Sequence, residues 1–127
     1  MMRRALVRSL PVLRKTGSLV SGAGKVDGAV RSGEARLVLH ASEAAEDGVR
    51  KIAQARHATN RAIGVDIPAE SLFTEAELGL VFGGDRVMHA AILASEAGEA
   101  FALRLARYRS YLGEEAGFAH AGRAEMH

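Results

Sequence analysis

A three-layer α/β/α sandwich, built on a mixed central sheet of about four strands, is the α/β fold this sequence predicts. A nearly continuous apolar run, "ARLVLHA" at 35–41, reads as a strand covered on both faces, and "VMHAAILA" at 87–94 reads as another strand. Stretches of helical periodicity stand between the strand candidates, which recur at a spacing of roughly 25 residues. Start and stop signals mark the joins, above all Thr74 followed by Glu77.

Residues 3–16 predict a helix, with Leu6, Leu10 and Leu13 at helical spacing. Pro11 predicts that it is kinked or begins near residue 10. "SLV" at 18–20 reads as a short strand, and a helix then runs from about Lys25 to Ser32 and stops at Gly33. After the strand 35–41, residues 45–56 form a helix with Glu46 and Asp47 in its first turn and Arg56 in its last. "NRAIGVDI" at 60–67 is the next predicted strand. The Thr74–Glu77 capping box opens the helix in "EAELGLVFG", the strand 87–94 follows, and the last helix spans about 97–112. The end of the chain lacks periodicity, so one domain is expected over 1–113 and a flexible tail over 114–127. Leu37, Leu39, Ile63, Val65, Ile92 and Leu93 should be buried by the sheet.

The chain's 127 residues suffice for one core. With 48% hydrophobic and 25% charged residues, they predict a folded globule rather than a disordered chain. Aromatics are scarce, which leaves little to stack on an exposed base. No apolar tract reaches the ~18 residues of a membrane span, so no membrane partner is expected. The absence of cysteine excludes disulfides and thiolate metal sites and fits a reducing cytoplasm. The formal net charge of +2 permits a nucleic-acid partner without demanding one. Its distribution says more: Arg3, Arg4, Arg8, Arg14, Lys15 and Lys25 all precede the first acid, Asp27. Such a block is either a face that meets phosphate or a solvated helix surface.

The "GAGK" at 22–25 invites comparison with nucleotide-binding loops, and fails it. A P-loop needs glycine at 19 and a hydroxyl at 26, where this chain has Leu19 and Val26. A dinucleotide fingerprint needs its third glycine at 27, which is Asp27; Gly28 comes one residue late. The five histidines show no metal-ligand spacing, and His40 and His89 read instead as paired core or edge residues. No serine lies in G-x-S-x-G. No enzyme, metal or cofactor is therefore expected.

The order of the pieces "GAGKVDGAVRSGEARLVLHASE" (22–43), the apolar stretch around Ile63 to Val65, and "TEAELGLVFGGDRVMHAAI" (74–92) resembles the kink-turn RNA-binding ribosomal protein superfamily. Its bacterial YlxQ-like branch, and in particular the C-terminal domain of alphaproteobacterial YlxR-type fusion proteins, looks most similar. In those fusions a YlxR-type domain precedes this fold, and the basic start at Met1 is compatible with a cut there. The resemblance covers about residues 8–112, and "RSGEARLVL" (31–39) and "ELGLVFG" (77–83) are its most specific parts. It implies the same sandwich. It also implies RNA contact through two loops, the glycine turn 22–28 and the loop 83–88. The residues carried over are Gly22, Ala23, Gly24, Lys25, Gly28 and Arg86, with Arg14, Lys15 and Arg31 lining or flanking the face. Kink-turn binders carry Asn-Glu-x-x-Lys in the first loop; here Gly24, Lys25 and Gly28 stand at those positions. Phosphate contact survives that change and base readout does not.

A non-enzymatic, cytoplasmic RNA-binding protein acting on structured RNA, ribosomal RNA on the ribosome included, is the reading that follows. The alternative is a protein-interaction module that kept the fold and lost specific RNA binding, with a homodimer formed through the helix 99–112. A third is the RNA-recognition half of a modifying enzyme, although the chain is too short to hold a methyltransferase domain as well.

Overall fold

The computed structural model describes the backbone of residues 2–125 and side chains as far as residue 114. Five helices and four strands alternate: α1 (Met2–Lys15), β1 (Leu19–Ser21), α2 (Ala23–Arg31), β2 (Ala35–Ala41), α3 (Glu46–Ile63), β3 (Ala69–Phe73), α4 (Glu75–Val81), β4 (His89–Leu93) and α5 (Glu96–Glu125). The sheet order is β1-β4-β2-β3. β4 runs antiparallel to both β1 and β2, whereas β2 and β3 are parallel, so the sheet is mixed as expected.

Alternation along the two central strands builds a core on each face. Leu37, Leu39 and Ala41 of β2 and Ile92 of β4 join Leu6, Leu10 and Leu13 of α1, Leu78 of α4, and Phe101 and Leu105 of α5. Val38 of β2 and Ala91 of β4 point the other way, against Val26 and Val30 of α2 and Ile52 and Ala55 of α3. The three layers are thus α1/α4/α5, the sheet, and α2/α3.

Four sequence expectations require correction. Pro11 does not start α1: the helix runs continuously from Met2 to Lys15 through Pro11, with Leu6, Leu10 and Leu13 buried. "NRAIGVDI" is not a strand. Residues 60–63 complete the last turn of α3, and Gly64 ends it with its N–H on Asn60 O at 2.7 Å. Of the apolar residues there only Ile67 reaches the core; Ile63 is 58% exposed and Val65 only partly covered. Leu93 is likewise half-buried, while Leu37, Leu39 and Ile92 are buried as expected. The third strand is instead Ala69–Phe73, whose polar sequence suits its place at the sheet edge. The end of the chain, expected as a loose tail over 114–127, is helical to Glu125, with residues 126 and 127 outside the described residues. Its alanines and glutamates have high helix propensity, which favours a helix without any apolar periodicity.

Candidate nucleic-acid interface

Two turns from distant parts of the chain meet beside the end of β4. The first leads from β1 into α2. Gly22 sits there at φ 99°, a conformation that side-chain-bearing residues avoid. Its N–H donates to His89 O at 2.9 Å, and its carbonyl accepts the first helical bond from Val26 N at 2.9 Å. No side chain caps the N-terminus of α2 and no acid lies in its first turn, so its free amides carry an uncompensated partial positive charge.

The second turn joins α4 to β4. Thr74 Oγ1 accepts from Glu77 N at 3.1 Å and Glu77 Oε1 accepts from Thr74 N at 2.9 Å, a reciprocal cap that fixes where α4 starts. The chain then folds back over the helix, with Gly84 N–H donating to Gly79 O at 2.8 Å. A Cβ on Gly79 would lie 2.1 Å from Asp85 O, so only glycine lets the loop pack this tightly. Of the glycines in "ELGLVFG", Gly79 is thus required by this packing and Gly83 by its φ of 86°.

Between the turns lies an open groove of about 680 Å³. Ser21, Gly22, Ala23 and Lys25 line one side, and Phe82, Asp85, Arg86 and Met88 the other. Arg14 closes one end. Its Nη1 donates to Val81 O at 2.9 Å and its guanidinium lies 5.1 Å from the Phe82 ring centroid, which ties the end of α1 to the end of α4. Lys25 is exposed and has no ion-pair partner among the described residues. Arg86 is 83% exposed, and its 3.8 Å contact with Glu75 is of the kind that contributes little.

The structure therefore brings together Gly22, Ala23, Lys25, Arg86 and Arg14, while Gly24 and Gly28 do not line the groove. Nor does Arg31, which pairs with Asp27 at 3.0 Å and borders a cleft against Ala58 and Ile63 of α3. Lys15 lies next to Arg14 on the adjoining surface, with Pro11 and Val81. Reading the sequence named the loop 83–88, which holds Asp85 and Met88, but missed Ser21, Phe82 and His89 as lining residues. Only their position at the edges of predicted elements marked them.

Behind the groove, His40 and His89 face each other across β2 and β4. Their Nδ1 atoms are 2.9 Å apart, the pairing that their positions on predicted strands led one to expect. Burial first, and then His89 and Arg56, hold the His40 pKa down to about 4, and burial also lowers that of His89. His40 Nε2 is buried without a hydrogen-bond partner, which a neutral ring tolerates better than a charged one. No group of three or more His, Cys, Asp or Glu side chains among the described residues could hold a metal ion. No helix among them is long and apolar enough to cross a membrane.

No protein-family model matches the chain, and no curated protein matches it either. Solved structures do. A protein of unknown function from Bacillus halodurans matches over 78% of this chain and 94% of its own, with a TM-score of 0.65 and 18% identity. The 15.5kD RNA binding protein of Giardia lamblia matches over 80% of this chain and 82% of its own, with a TM-score of 0.61 and 18% identity. At that identity the likeness shows a shared fold, the mixed-sheet α/β sandwich described above.

Proposed function

We propose that this chain is a non-enzymatic RNA-binding protein of the kink-turn-binding ribosomal superfamily, of the YlxQ-like kind, that contacts structured RNA through the groove between the turns 22–28 and 83–88. The observation that carries the proposal is the convergence of Arg14, Lys25 and Arg86 on one groove beside the uncapped start of α2. Three cations and a set of free amides form a phosphate-binding surface. The likeness to an RNA binding protein from Giardia lamblia supports the same reading. The partner is structured cytoplasmic RNA, ribosomal RNA included. With Gly24, Lys25 and Gly28 where kink-turn binders carry Asn, Glu and Lys, affinity comes from the backbone and discrimination between sequences is weak.

Filter binding of a labelled kink-turn hairpin at two salt concentrations tests this. Wild type binds with a steep salt slope; replacing Lys25 and Arg86 together by Ala lowers affinity about tenfold or more and flattens the slope by roughly one to two units. Matched and mismatched kink-turns suffer alike. Binding that ignores the double substitution moves the site elsewhere, and no binding at all favours a protein-interaction module.

A further inference from the structure

The six cations that precede Asp27 do not share one role, and the groove accounts for few of them. Within α1 they separate by helix face. Arg3 and Arg14 turn toward α4: Arg3 Nη1 donates to Glu77 Oε2 at 2.8 Å and its Nη2 to Leu72 O at 3.0 Å, while Arg14 holds Val81 O. Arg4 and Arg8 project the other way, and Lys15 shares their side of the helix while also bordering a cleft with Arg14 and Val81. At 100° per residue they fall within about 40° of one another, on the side opposite Leu6, Leu10 and Leu13. All three are exposed and none has an ion-pair partner among the described residues. α1 contains no acid to interrupt them.

The row extends over ~16 Å of helix at ~1.5 Å per residue, about half a turn of a nucleic-acid duplex. Lys15 ends it beside Arg14, where the groove begins. On the flank toward α5, Arg104 donates to Ser9 Oγ at 3.2 Å and Arg107 stands over Met2 and Leu6, adding two exposed cations.

We infer that the outward face of α1 is a second phosphate-binding track, continuous with the groove, along which a duplex stem leaving the groove is held by its backbone. This rests on the RNA-binding reading above and extends its footprint. A row of unpaired cations at this spacing matches a phosphate backbone, and it reads no bases. An anionic membrane is the poorer fit. The leucines of α1 are buried, and its exposed large apolar side chains, Met2 and Val12, offer little to insert beside the charges.

The test uses two fluorescein-labelled kink-turn hairpins, one with its outer stem cut short and one with that stem longer by about a helical turn. Wild type should bind the long form about tenfold more tightly at low salt. Replacing Arg4 and Arg8 together by Ala should abolish that gain, lower the salt slope on the long form by roughly one to two units, and leave the short form unchanged. These side chains are exposed and Ala is a strong helix former, so the fold should persist, which circular dichroism checks. The Lys25→Ala, Arg86→Ala protein should weaken on both RNAs and keep the ratio between them. A ridge variant that still prefers the long stem overturns the track and leaves the groove standing. A ridge variant that fails on both RNAs while the groove variant binds normally overturns the groove reading instead. Co-sedimentation with phosphatidylserine vesicles that depends on the ridge, without any stem effect, overturns the assignment to RNA.

Discussion

His40 and His89 place their Nδ1 atoms 2.9 Å apart between two central strands, with their rings edge to face. One nitrogen must donate and the other accept, so the contact requires at least one deprotonated Nδ1. Two imidazolium rings would direct two N–H groups at each other in a buried site.

A pH dependence of stability follows. The folded His40 pKa is depressed to about 4 by burial first and then by His89 and Arg56, and His89 is lowered as well. The unfolded chain takes up protons near pH 6.5 and the folded one does not. The neutral pair's contribution is therefore complete above about pH 6.5 and declines as pH falls toward 4. For His40 alone the loss is on the order of 3 kcal/mol. Urea midpoints measured at pH 7 and pH 4.5 should fall with acid in wild type and fall much less in His40→Leu. Parallel curves for the two proteins would remove the pair as the cause.

Glu77 performs two tasks from one side chain. It completes the capping box with Thr74 and accepts both Nη groups of Arg3, which hold its carboxyl below the usual carboxylate range. Glu77→Ala should lower stability by about 2 kcal/mol, through a lost cap and an Arg3 left without its partner. Glu77→Gln, which can still reach Thr74 N, should cost less. Urea unfolding at constant m-value checks both; equal losses would mean that the cap contributes nothing beyond the ion pair, and a Gln variant as stable as wild type that the ion pair contributes nothing beyond the cap.

Gly79→Ala separates scaffold from chemistry. The added methyl meets Asp85 O at 2.1 Å, which forces the turn before β4 off α4. We expect a loss of about 1–3 kcal/mol in stability. RNA affinity should fall at salt and temperature where the variant is still folded, because Arg86 sits one residue past the clash. A folded Gly79→Ala protein with wild-type affinity would show that the loop's position does not matter to binding.

How much of this was legible depended on where each residue's energy comes from. β2 was read to the residue because both of its faces are buried, and the run of apolar residues states that directly. The α4 cap was legible because its two partners are three residues apart. β3 left little trace, since an edge strand buries only Phe73 fully and can be polar elsewhere. The alternating Ile63, Val65 and Ile67 imitated a strand, although the first is an exposed helix residue and only the third is fully buried. The two turns that face the groove were named from resemblance. Phe82 and His89 were not, because their nearness to Gly22 arises from the pairing of β1 with β4, which no local pattern records.

The last prediction rebuilds what the glycine turn lacks. Gly24 and Gly28 lie one helical turn apart near the start of α2, neither has a positive φ, and a Cβ at either meets no atom within 4 Å. Side chains can be added there without displacing anything. Replacing a helical glycine should also stabilise α2, by about 0.5–1 kcal/mol for Lys at 28 and by only a few tenths for Asn at 24. The variant Gly24→Asn, Lys25→Glu, Gly28→Lys installs the Asn-Glu-x-x-Lys pattern of the kink-turn binders on this scaffold. It exchanges the cation proposed to meet phosphate for base-directed groups, so affinity for mismatched RNA should drop and its salt slope shrink by about one unit. Preference for a true kink-turn over a mismatched one should rise about tenfold. Thermal melting first establishes that the variant is at least as stable as wild type, and competition binding between the two hairpins then measures the preference. A stable variant with no gain in preference would mean that the turn 22–28 is not presented to RNA as the resemblance implies.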